Sequence, residues 1–159
     1  MGFTNAILRA AAAAALALLS ACTTAPVINV TALDVVERGE STSEVAVRLE
    51  IQNLTGVPVR LDTWDYSLQV AGRGVYSGQW VAAITIPPES RVLTAIPAVV
   101  KNADLPGPAA SWSVNGWIRY LEPTRFSQLL FDLGLNRPSA LFGGRGTSVG
   151  SGGSVPSAG

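Results

Sequence analysis

Glu44-Val-Ala-Val-Arg-Leu-Glu-Ile-Gln52 is the most regular stretch of the chain, and its period is two. Val45, Val47, Leu49 and Ile51 alternate with Glu44, Ala46, Arg48, Glu50 and Gln52. One side is dry and the other wet, which is what an antiparallel sheet with one solvated face requires. Working outward from it, residues 38–43 (Arg-Gly-Glu-Ser-Thr-Ser) are polar and read as a turn. Before that turn, Ile28, Val30 and Ala32 share a parity that switches to Leu33 and Val35, which predicts a strand over 27–37 with a bulge. After Gln52, Asn53-Leu-Thr-Gly56 is a connection with turn residues. Val57, Val59 and Leu61 then resume the alternation. A second switch near Asp62-Thr63 hands the apolar face to Trp64, Tyr66, Leu68 and Val70.

Ala71-Gly-Arg-Gly74 predicts a tight hairpin returning through 75–81, with a separate short strand at 82–86 stopped by Pro87-Pro88. Residues 91–100 are apolar enough for a strand buried on both sides, although Pro97 argues for an edge or a bulge. Pro106-Gly107-Pro108 marks a loop across 102–110. Residues 111–121 alternate again, with Trp112, Val114, Ile118 and Tyr120 on one side and Asn115, Trp117 and Arg119 on the other. The period changes after Pro123. Phe126, Leu129, Leu130 and Leu133 recur at helical spacing, Thr124 suits an N-cap and Gly134 a C-terminal cap, so 125–133 reads as a short helix. Residues 139–142 form a closing strand, and the Gly/Ser-rich stretch 143–159 has little to bury and reads as disordered. About seven strands at this spacing, with one late helix, predict an antiparallel β-sandwich over 27–142.

The N-terminus has a different character. Arg9 precedes an uninterrupted Ala/Leu run over 10–19, and small residues follow at Ser20 and Ala21, the layout of a secretory signal. The run is too short to span a bilayer, which takes about 20 residues. Leu19-Ser-Ala-Cys22 holds the chain's single cysteine and resembles the lipobox of bacterial lipoproteins. That resemblance implies cleavage before Cys22, a diacylglycerol on its sulfur and a tether over 22–26. Each buried methylene then contributes about 0.8 kcal/mol, and two or more chains make attachment stable. Thr23, rather than Asp, follows the cysteine, which by the sorting rule of such lipoproteins implies the outer membrane, facing the periplasm. The alternative is an ordinary cleaved signal (1–21) with a coincidental cysteine.

Composition narrows the chemistry. The formal net charge is zero, and loss of Arg9 leaves the remainder slightly acidic, so no basic patch exists to hold nucleic acid. Histidine is absent, which removes the commonest general base and zinc ligand. With Cys22 acylated, no thiol remains for a nucleophile, redox pair or disulfide. Asp62 with Asp65, or Glu37 with Glu40, reads as solvated surface rather than an acid–base pair. The dense Asp/Asn loop of a calcium site is missing, and no metal, cofactor or catalytic residue is expected. Among the tryptophans, Trp64 and Trp112 lie on the apolar parity and Trp80 is assigned to packing. Trp117, beside Arg119 on the polar face, is the candidate contact surface unless the helix covers it.

The order of features resembles the late embryogenesis abundant proteins of type 2, also called the water stress and hypersensitive response domain. It rests on the alternating strand ending in Asn53, the turn into 56–61, the tyrosine and Val-x-Gly hairpin of 66–72, the proline segment 86–90 and the late aromatic strand 112–120. Asn53-Leu54 stands where the family commonly has Asn-Pro, and the helix lies outside the family pattern. The resemblance implies an immunoglobulin- or fibronectin-like sandwich, a non-enzymatic role and protection during water stress. An envelope adaptor that binds a protein or glycan through a sheet edge or Trp117 is the alternative.

Overall fold

A computed structural model of the protein describes residues 25–105, 107, 109–122, 124–147 and 149–151. The lipobox residues Leu19, Ser20, Ala21 and Cys22 lie outside the described residues. Eight strands run in the order β1 (Val27–Arg38), β2 (Thr42–Gln52), β3 (Val59–Val70), β4 (Arg73–Ile86), β5 (Arg91–Lys101), β6 (Trp112–Leu121), β7 (Ser139–Gly146) and β8 (Gly150–Ser151). The helix α1 (Arg125–Asp132) interrupts the last antiparallel connection. One sheet has the order β5-β2-β1-β8 and the other β4-β3-β6-β7. All neighbours are antiparallel except the two-residue β8, which lies parallel to β1.

The core fills the space between the sheets. Val45, Val47, Leu49 and Ile51 of β2 are at most 1% exposed, so the alternation that predicts the strand also faces it correctly. They meet Leu61, Trp64, Tyr66, Leu68 and Val70 of β3 and Val114 and Ile118 of β6. Phe142 of β7 packs edge-on against Trp64, with ring centroids 5.2 Å apart. Both parity switches are bulges: the β1–β2 register shifts between Val30 and Ala32, and the β3–β4 register between Leu61 and Thr63.

Three expectations are corrected. Residues 75–81 and 82–86 are one strand, because the Leu61/Thr63 bulge is matched on β4 by Ala83, whose φ is 48°. The local kink imitates a strand end without breaking the ladder. β5 is not covered on both sides. It is an edge strand with Leu93 75% and Val99 59% exposed, and Pro97 sits there because an edge tolerates a missing donor.

The third correction concerns the tail. Part of 143–159 is ordered: β7 runs to Gly146, Val149 is buried and β8 joins β1. The glycines have a packing reason. A Cβ on Gly144 would lie 2.4 Å from Cβ of Val30, and one on Gly146 would lie 2.7 Å from the Trp112 ring. At these glycines backbone fills the place of side chains, and Val149 adds a buried apolar side chain, so the stretch orders with few apolar residues. Residues 152–159 lie outside the described set.

Tyr66 joins the two sheets. Its hydroxyl donates to the carbonyl of Pro97 on β5, and its ring lies 5.2 Å from that of Tyr76. Burial first, and then the neighbouring Tyr76, pushes the Tyr66 phenol far above its ordinary range. The folded chain therefore keeps a proton that the unfolded chain releases near pH 10, so this stabilisation is complete below pH 10 and declines as pH rises. Tyr66→Phe should cost about 1–2 kcal/mol at neutral pH. It should also flatten the loss of stability between pH 9 and 11, measured by thermal melts. The loss will not vanish, because burial and then Glu122 raise the Tyr120 phenol in the same direction.

The chain enters the sandwich at a definite end. Val27 pairs with Gln52, Arg91 also pairs with Gln52, Val59 pairs with Ile86, and Arg60 pairs with Leu121. The start of β1, the β2–β3 and β4–β5 loops and the β6–β7 connection containing α1 therefore share one end. Asn53, 1% exposed, ties the two loops there. Its side-chain amide donates to the carbonyls of Val57 (2.7 Å), Pro87 (2.9 Å) and Ile86 (3.3 Å). Its carbonyl accepts from the Thr55 backbone (3.0 Å) and hydroxyl (2.7 Å). The β3–β4 hairpin lies at the opposite end, and its turn places Ala71 and Gly72 at φ 50° and 75°, as a two-residue hairpin loop requires.

Candidate functional site

The outer face of the β4-β3-β6-β7 sheet carries the predicted contact residues. Register places Gln79, Asp65, Trp117 and Leu141 in one row across all four strands. A second row, two residues along, is Ser77, Ser67, Asn115 and Gly143. Residues opposite one another in a sheet point to the same side, so strands distant in sequence assemble this surface. Asp65 accepts a hydrogen bond from Nε2 of Gln79 at 2.9 Å. Arg119 lays its guanidinium 4.9 Å from the Trp117 ring centroid, which fixes the indole by cation–π attraction.

A shallow depression lies along these rows, walled by Asp65, Ser67, Ser77, Asn115, Trp117 and Leu141. Gly143 deepens it, since a Cβ there would come within 2.9 Å of the Asn115 amide oxygen. The surface thus combines a half-buried indole, an 83% exposed leucine, one carboxylate and several hydroxyl and amide groups. That mixture suits contact with a sugar ring or an extended peptide. It lacks a nucleophile–base pair. Among the described residues no group of three or more His, Cys, Asp or Glu comes together to hold a metal ion.

Trp117 and Arg119 are therefore together, as the alternation predicts, and the apolar stripe of α1 does not cover them. Phe126, Leu129 and Leu133 are 70%, 55% and 62% exposed, and the helix meets the sheet near Leu121 and Glu122 at the end of β6. The other tryptophans divide. Trp64 and Trp112 are core residues, while Trp80 on edge strand β4 is 49% exposed. Asp62 and Asp65 do not face one another as an acid–base pair; Asp62 accepts from Thr63 and Asp65 from Gln79. Leu141 and Asp65 were not readable as neighbours of Trp117, because only the register of three strand pairs reveals the row. No helix among the described residues is long and apolar enough to cross a membrane.

The family model of the late embryogenesis abundant protein matches residues 48–126, from within β2 to the start of α1. The chain belongs to the late embryogenesis abundant (LEA) type 2 family. Solved structures agree on the fold at low identity. The chain matches the solution structure of AT1g01470 from Arabidopsis thaliana with a TM-score of 0.53 and 14% identity, covering 75% of this chain and 78% of that one. A second solution structure, assigned to the LEA proteins, matches with a TM-score of 0.53 and 10% identity over 93% of this chain and 86% of that one. The crystal structure of a structural genomics target, SoR45, gives 0.54 and 15% over 81% and 90%. No curated protein matches the chain significantly.

Proposed function

We propose that this LEA type 2 chain is a non-enzymatic protein of the bacterial envelope, anchored by lipid on Cys22, that protects envelope components during desiccation and water stress. The LEA type 2 match over residues 48–126 carries the reading. The lipobox-like Leu19-Ser-Ala-Cys22 supports the anchor and Thr23 supports the outer membrane. The lack of histidine supports a role without catalysis. Membrane lipid is then the first partner, and no nucleic acid is expected.

The row of Gln79, Asp65, Trp117 and Leu141 favours a second reading, an adaptor that binds an envelope protein or glycan on that face. One experiment separates the two. Deletion of the gene in its host should lower survival after drying and osmotic shock, and the wild-type gene should restore it. A deletion strain that survives as well as its parent contradicts the protective reading. Restoration by wild type but not by Trp117→Ala, at equal protein level and with the anchor intact, moves the function to the aromatic face.

A further inference from the structure

We propose that the end of the sandwich where the chain enters docks on the membrane surface, with the apolar side of α1 lying in the lipid interface. The proposal rests on the anchor reading above and adds an orientation to it. Phe126, Leu129 and Leu133 stand on one side of α1 at i, i+3 and i+7, and Leu135 follows at 73% exposure. A short helix with an apolar side open to water is costly unless something covers that side. The helix is well made nonetheless. Thr124 accepts from the Ser127 backbone at 3.1 Å, and Gly134, at φ 72°, closes the C-terminus with Leu135 donating to Leu130 at 2.9 Å. The caps hold the geometry independently of the apolar side, which remains unpartnered among the described residues.

The position of the chain's entry decides what covers it. Three residues separate Cys22 from Pro26, which is already buried against the fold. Four steps of extended chain reach at most about 14 Å. An acylated Cys22 therefore holds this end of the sandwich, and not the hairpin end, at the lipid surface. Leu54 (60%), Val57 (41%) and Val27 (39%) are exposed on the same end and add apolar surface there. Arg125 and Asp132 at the two ends of α1 leave it without net charge, so attraction to anionic lipid contributes little. Contact comes from apolar burial at the high effective concentration that a short tether gives. This orientation leaves Trp117, Arg119 and Leu141 on the side of the sandwich, open to the periplasm.

The test uses the full protein extracted from membranes and reconstituted in vesicles of phosphatidylethanolamine and phosphatidylglycerol. Leu133→Cys and, at the opposite end, Ser41→Cys are each labelled with a nitroxide, and intact mass counts acyl groups and labels. The proposal expects an acylated chain carrying one label. At position 133 the label should be open to oxygen and several-fold less open to a water-soluble nickel chelate than at position 41. An acylated chain with equal nickel accessibility at both positions overturns the docking and leaves the anchor standing. Shielding of position 133 from oxygen and nickel alike indicates cover by protein, a partner or a second copy, and overturns lipid docking. A chain without acyl groups, labelled also at Cys22, overturns the anchor and the docking together.

Discussion

Asn53→Asp should be the most damaging single-atom change in the molecule, costing about 4 kcal/mol or more at neutral pH. The asparagine amide points at the carbonyls of Val57, Ile86 and Pro87 from a position 1% exposed. A carboxylate there faces three acceptors with no hydrogen to offer, and burial denies it water. Asn53→Ala removes the same bonds without adding charge, so it should cost about 3 kcal/mol, the price of leaving buried carbonyls unpaired. The order matters more than the values. Urea melts should rank wild type above Asn53→Ala and Asn53→Asp last, and only the Asp variant should regain stability as pH falls. In that variant the folded state raises the pKa of the new carboxyl, so its protonated form is favoured below the unfolded value and the deficit grows as pH rises. Equal melting of Asn53→Asp and wild type at pH 7 would mean that the loops at the entry end do not depend on this amide.

The same residue shows what could be read in the chain and what could not. Asn53 is recognisable as the end of β2, because the period-two pattern of Val45, Val47, Leu49 and Ile51 stops there. Its role as a clamp is invisible, since two of its acceptors, Ile86 at the end of β4 and Pro87 in the loop after it, lie more than thirty residues away. Bulges were legible because a parity switch, as at Asp62-Thr63, leaves a trace in one strand alone. The identical kink in β4 at Ala83 left a stretch of small residues and looked like a strand end. The helix was legible from its caps and from Phe126, Leu129 and Leu133, yet periodicity says only that a face is apolar and not what covers it. The segment from Gly143 to Ser151 carries little sign of order in its sequence, because few of its residues have side chains to bury. Gly144 and Gly146 contribute close backbone approach to Val30 and Trp112 instead. Trp117 and Arg119 were found on one strand. Their partners Asp65 and Leu141 came only with the register.

Replacement of Cys22 should have the largest effect on the protein's place in the cell. Without the thiol no diacylglycerol can be attached, and a signal of the lipoprotein kind is then not cut. Two acyl chains hold a protein far more firmly than one, at about 0.8 kcal/mol for each buried methylene. No helix among the described residues is long and apolar enough to cross a bilayer. Cys22→Ala should therefore abolish mature anchored protein altogether and leave the unprocessed chain of 159 residues. On the proposed anchor reading, the exposed side of α1 would then lose its tether to the membrane.

Intact mass of the protein extracted from membranes, beside the Cys22→Ala variant, tests the account at its centre. The account predicts a wild-type mass equal to the chain from Cys22 onward plus its acyl groups, and a variant that is neither cut nor acylated. A wild-type chain that is soluble and carries no acyl group would contradict it, leaving a LEA type 2 sandwich without an anchor.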